Sequence, residues 1–120
     1  MEAKVKKIAI NRKYGGFSLS NEAMLMYLEK TYPSEKIEVL KDDWGFPMFM
    51  VNGEEVYLQD VCRRENRENP ILIEVIETLG ERANTPYSKL EIVEIPDDVK
   101  YKISEYDGME TVEEVHRTWC

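Results

Sequence analysis

Met48-Phe49-Met50-Val51-Asn52-Gly53-Glu54-Glu55-Val56-Tyr57-Leu58 decides the fold class. Two apolar runs flank Asn-Gly, the dipeptide that supplies both positive φ angles of a type I′ turn, so the stretch predicts a tight β-hairpin. Just upstream, Ile37 and Val39, joined by Leu40, alternate with charged residues as a short strand. Strands that follow one another directly, instead of alternating singly with helices, belong to an antiparallel sheet.

Working outward, Cys62-Arg63-Arg64-Glu65-Asn66-Arg67-Glu68 reads as a charged connection. Asn69-Pro70 then opens a helix, with Asn69 as N-cap and Pro70 in the first position. Leu72, Ile73, Ile76 and Leu79 keep helical spacing, and Gly80 marks the stop. On the other side, Ser20 is the expected N-cap of a helix carrying Glu22 in its first turn and ending at Tyr32-Pro33. Val5, Ile8 and Ile10 form a first strand, closed by the break Tyr14-Gly15-Gly16-Phe17. Leu90, Ile92 and Ile95 form a strand, Pro96-Asp97-Asp98 a turn, and Tyr101 and Ile103 a further strand that reads as the second arm of a hairpin. After Asp107-Gly108, residues 109–115 read as a short helix. The expectation is a single α+β domain over residues 1–120: a mostly antiparallel sheet, two main helices and a short C-terminal helix.

The chain has 120 residues and a hydrophobic fraction of 42%, enough for one core. Its 24 acidic and 16 basic residues give a net charge of −8, which argues against long nucleic acid as a partner. A few arginines in a cleft still make a local anion site. One His and two Cys cannot build a closed zinc site, and no metal or cofactor is expected. No apolar run is long enough to span a membrane, and the first residues are charged, which leads us to expect an intracellular protein without an exported leader.

Chemistry-bearing residues are few. A nucleophile needs a base, and the only His is His116, with no Cys or Ser constellation beside it, so no catalytic residue is expected. Cys62 reads as a buried, inert thiol. Tyr14 and Phe17 flank paired glycines and admit two readings: a lip that lays aromatics against a flat ring, or a bend with both aromatics in the core. Arg63, Arg64 and Arg67 precede a helix N-terminus, where guanidinium groups and free N–H groups together favour an anion. The alternative for them is a solvated face balanced by Glu65 and Glu68. His116-Arg117-Thr118-Trp119 places a cation beside a stacking surface near the chain's end, where a Trp must be buried in the fold, buried in another subunit or stacked on a ligand.

Three groups of residues together resemble a known family. Asn11 to Ser20 with Tyr14-Gly15-Gly16-Phe17, Arg67-Glu68-Asn69-Pro70 with its apolar helix ending at Glu77-Thr78-Leu79-Gly80, and Ser88 to Val99 followed by Glu105-Tyr106-Asp107-Gly108 and His116-Arg117-Thr118-Trp119 look like the first type of phage Thoeris anti-defence protein. The match is weakest from Glu35 to Gln59. The resemblance implies a sponge. It would act in the cytoplasm of the infected bacterial host. There it would bind, without cleaving, the cyclic ADP-ribose isomer that a TIR-domain protein makes from NAD to activate an NAD-depleting effector. It also implies a homo-oligomer built from dimers with ligand between subunits; some members are hexamers that hold cyclic oligonucleotides at a separate site. Residue by residue it puts forward Tyr14, Phe17, Arg67, His116 and Arg117 as ligand contacts. Two other classes stay open: a small hydrolase of the same signal using His116 and an acid, and an inhibitor that docks on a protein of the defence system.

Overall fold

Asn52 and Gly53 adopt φ angles of 52° and 82°, the pair of positive values the hairpin requires. In the computed structural model, which describes residues 4–115, that turn joins β3 (Pro47–Val51) to β4 (Glu54–Val56). The upstream strand β2 (Ile37–Lys41) pairs antiparallel with the other edge of β3, giving a three-stranded sheet in the order β2-β3-β4.

Two more antiparallel pairs complete the strands. β1 (Val5–Asn11) pairs with β5 (Leu90–Pro96), and β6 (Tyr101–Tyr106) pairs with β7 (Met109–Glu114). The α+β class and the antiparallel pairing agree with the sequence. Two local expectations are corrected. Residues 109–114 are a strand, not a helix, and β5 and β6 do not form a hairpin with one another. Apolar Met109, Val112 and Val115 imitate a helical spacing of three. The tight turn at Asp107-Gly108, with φ 50° and 89°, instead folds this segment back on β6.

Helix α1 (Asn21–Thr31) starts where Ser20 Oγ accepts the Ala23 N–H at 3.1 Å. Strand β4 ends at Val56, and Leu58, expected in that strand, instead opens a short α2 (Leu58–Val61); a 3₁₀ turn over Arg64–Asn66 lies in the charged connection. Helix α3 (Pro70–Leu79) starts with Asn69 Oδ1 accepting the Ile71 N–H at 2.9 Å, as the Asn-Pro signal requires.

β1 is the hinge between two cores. Because a strand points successive side chains to opposite faces, Ala9 joins the larger core of α1, α3 and β3, with Met24, Leu28, Phe49, Leu72 and Ile76. Ile8 and Ile10 face the other way and pack with Ile103, Val93 and Val112 of the β5 and β6–β7 strands. The outcome is a layered molecule with extents of 55 × 35 × 28 Å and a radius of gyration of 16.0 Å. That exceeds the roughly 13.6 Å of a compact chain this long.

Candidate functional site

The C-terminal hairpin docks on β1 through a buried polar cluster, and this cluster is where the unusual motifs meet. Asn11, at the end of β1, donates its backbone N–H to Glu110 Oε1 at 2.9 Å. Its side-chain amide donates to the carbonyls of Gly108 at 2.7 Å and Lys13 at 2.6 Å, and its Oδ1 accepts the Lys89 N–H at 2.9 Å. Glu110 is held bidentately by Arg67, at 2.6 and 3.0 Å. The rest of the Arg67 fork donates to the Cys62 and Ala9 carbonyls at 3.0 and 3.3 Å. Its guanidinium carbon lies 3.7 Å from the centroid of the Phe17 ring, a desolvated cation–π contact. Arg67 and Glu110 are 3% and 2% exposed, so each charge depends on the other.

Glycines make this junction close. A Cβ on Gly108 would lie 2.7 Å from the Gly15 nitrogen and closer still to that of Gly16, and a Cβ on Gly15 would lie 2.7 Å from the Tyr87 carbonyl oxygen. The backbone of Gly15 donates to the Asp107 carbonyl at 3.0 Å. Three tyrosines stand on this base and face solvent: Tyr14, Tyr87 and Tyr106 are 58%, 70% and 72% exposed. Tyr14 and Tyr106 meet edge to face with ring centroids 6.4 Å apart. Beside them Arg12 reaches Glu91 at 3.3 Å, and Lys13 donates to the Pro86 carbonyl at 2.8 Å, both from exposed positions. The arrangement offers flat stacking surfaces, two cations and a rigid floor.

The expected site residues divide. Tyr14 is exposed and not in the core, whereas Phe17 takes the core reading: it packs against the larger core and gives one ring face to Arg67. For Arg67, the expectation that its charge reinforces the α3 N-terminus is corrected. Its guanidinium points to Glu110, because a charge so deeply buried is stable only with a full set of partners. Arg63 and Arg64 balance acids, as in the solvated reading, but the partners are Asp60 at 2.9 Å and Glu105 at 4.0 Å instead of Glu65 and Glu68. His116 and Arg117, with Trp119, lie outside the described residues. Sequence reasoning did not single out Glu110, Asn11 or the exposed aromatics Tyr87 and Tyr106 as site residues. The Tyr-Asp-Gly turn was the available signal for Tyr106.

Elsewhere the chemistry is quiet. No group of three or more His, Cys, Asp or Glu side chains is placed to hold a metal among the described residues. Burial pushes the Cys62 thiol up to about 12, against a smaller opposing effect of Arg67. With Cys120 replaced by serine, Cys62 is expected to react with a disulfide reagent at pH 8 roughly a thousandfold more slowly in the folded chain than in urea, following its thiolate fraction. Equal rates would refute this. Because the folded thiol keeps its proton where the unfolded one loses it, this group's stabilisation is complete below about pH 9 and declines toward about pH 12. The Tyr101 hydroxyl is also raised, by burial and by its hydrogen bond to Glu68.

No described helix is long and apolar enough to cross a membrane. No protein-family model, curated protein or solved structure matches the chain.

Proposed function

We propose that the protein sequesters a cyclic ADP-ribose isomer as a phage anti-defence sponge in the infected bacterial cytoplasm, binding the signal without cleaving it. The observation that carries this reading is the convergence of the family-like motifs. Tyr14-Gly15-Gly16-Phe17, Arg67 and Tyr106-Asp107-Gly108 are far apart in sequence, yet they meet at one rigid junction crowned by exposed tyrosines. Tyr14 and Tyr106 supply stacking surfaces for a purine, and Arg12 and Lys13 supply charge for a pyrophosphate; His116 and Arg117 enter as ligand contacts on the family resemblance alone. Arg67 acts from beneath, as the residue that fixes the platform. The ligand sits between copies of a dimer-based homo-oligomer, where a preformed site lowers the cost of ordering.

The test uses the intact protein and a cyclic ADP-ribose isomer. After incubation the complex is heated, and the supernatant is assayed for activation of the NAD-depleting effector. Return of intact signal is expected; a new product would make the protein an enzyme, and absence of binding would favour an inhibitor that docks on protein. In calorimetry, Tyr14→Ala and Tyr106→Ala are each expected to weaken binding by about 1–3 kcal/mol, the cost of one stacked base. Arg117→Ala should cost about 1.5–3 kcal/mol if it meets a phosphate. Unchanged affinity in all three variants would move the site elsewhere.

A further inference from the structure

Strand β2 leaves one of its edges open. The Asn52 N–H donates to the Lys36 carbonyl at 2.8 Å, and the Asp42 N–H donates to the Phe46 carbonyl at 2.9 Å. Such bonds alternate along an antiparallel pair. Lys36, Glu38, Leu40 and Asp42 therefore bond toward β3, and Ile37, Val39 and Lys41 turn their N–H and C=O groups outward. β2 is an outer strand of its sheet, and among the described residues no second backbone segment bonds these outward positions. Edges are commonly shielded by a Pro, a bulge or an inward-pointing charge. β2 has no Pro, and its register with β3 runs without a bulge. Val39 and Leu40, on opposite faces, are 47% and 46% exposed. The strand then enters a rigid tip, where Asp42 Oδ1 accepts the N–H groups of Trp44 and Phe46, at 2.9 and 2.8 Å, and so fixes the backbone of two exposed aromatics.

A row of unpaired N–H and C=O groups that repeats every second residue is complementary to another extended strand. A second copy of β2 is a poor match. The antiparallel register that pairs all five of its residues sets Glu38 opposite Leu40 and Glu35 opposite Asp43. Its gain, Lys36 opposite Asp42, meets a carboxylate already engaged by the tip. The charge around the strand fits the reverse pattern. Glu35, Glu38, Asp42 and Asp43 outnumber Lys36 and Lys41, and the Lys36–Glu38 pair is exposed, at 3.5 Å. Val39 shares the face of buried Phe49, so Glu38, Leu40 and Asp42 share the opposite one. A strand matched to this edge carries basic residues across from Glu38 and Asp42 and apolar residues across from Ile37 and Val39, and Trp44 offers a ring face to a cation at the end.

We propose that β2 is a strand-addition site for an extended segment of a different protein, one in which apolar and basic residues alternate, pairing antiparallel with Ile37–Lys41. The backbone ladder supplies the attraction, and the carboxylates of Glu38 and Asp42 select the sequence. These residues are separate from those of the tyrosine platform, so the proposal stands whatever that platform binds.

The probe is a peptide of about eight residues, a typical strand length, alternating valine and lysine. It is titrated into the isotope-labelled full chain and followed by amide chemical shifts. Shifts centred on Val39 and Lys41 are expected, and the matching valine–glutamate peptide should bind about tenfold more weakly. Methylating the valine nitrogens, which face β2, should abolish binding, whereas methylating the lysine nitrogens, which face solvent, should not. Val39→Pro removes an outward N–H, a change that an edge strand tolerates, and should weaken binding about tenfold or more. Glu38→Lys should reverse the preference between the two peptides. Melting curves check that both variants fold; if Val39→Pro does not, Glu38→Lys and the methylated peptides decide the matter. The proposal is overturned if the lysine peptide does not bind, if the two methylated forms bind alike, if folded Val39→Pro binds like the parent, or if Glu38→Lys keeps the parent's preference. It is also overturned if Val39→Pro lowers the mass of the protein in light scattering, because the strand on this edge is then a second copy.

Discussion

Arg67→Ala lowers the unfolding free energy by about 3–5 kcal/mol in urea titrations, the cost of leaving a buried carboxylate without its cation. Glu110 would keep only the Asn11 N–H, and the Cys62 and Ala9 carbonyls would lose their donor. Glu110→Ala should cost a similar amount, because it strands the guanidinium. The paired change Arg67→Met with Glu110→Leu should cost far less than the sum of the single changes, since residues in one network are not additive. A loss below about 1 kcal/mol for either single variant would mean that the pair behaves as an exposed surface pair. Total stability of a domain this size is about 5–15 kcal/mol, so either single change brings the fold near its limit.

Gly108→Ala is expected to be nearly as severe and to act differently. The added methyl meets the backbone of Gly15 and Gly16, which cannot rotate away as a side chain would, and the position has φ +89°. Strain at such a position costs about 1–3 kcal/mol, and overpacking adds about 1–3 more. The hairpin β6–β7 should lift from the glycine loop, separating Tyr106 from Tyr14. Melting temperature reads the first effect, and ligand calorimetry on the still-folded fraction reads the second. Gly45→Ala, where a Cβ meets nothing within 4 Å, is the control for backbone strain alone. If Gly108→Ala melts no lower than Gly45→Ala, the close approach of the two loops is not what holds the junction.

Local signals were the legible part of this chain. Asn52-Gly53, the Ser20 cap and Asn69-Pro70 each act within four residues, and each sits where the sequence places it. The β6–β7 hairpin was misread because its defining residue does not look like a core residue. Glu110 is buried, and its reason for being so, Arg67, is 43 positions away. Hydrophobic periodicity is blind to such a pair. The same blindness hid the role of Arg67, whose sequence neighbours Glu65 and Glu68 suggested a solvated run. With residues 109–115 read as a helix, β6 has no partner but β5, whereas β5 in fact pairs with β1, some 80 to 90 residues upstream. For the candidate site, the motif tyrosine and glycines were visible in the sequence. Their convergence was not, because it depends on strand pairing between distant segments.

The buried ion pair also sets a sequence of events. Arg67 is synthesised, and helix α3 just after it can form, well before Glu110 exists to meet it. Until β7 docks, that guanidinium must stay hydrated, which keeps the space beside Phe17 and Ala9 open to water. Docking has to strip water from both charges in the same step that brings Gly108 onto Gly15. Assembly of the C-terminal hairpin is thus a late, all-or-none closure, and its reversal is the natural first opening of the native state. Hydrogen exchange would record it as one cooperative unit comprising β6, β7 and the glycine loop, leaving the amides of α1 and α3 protected.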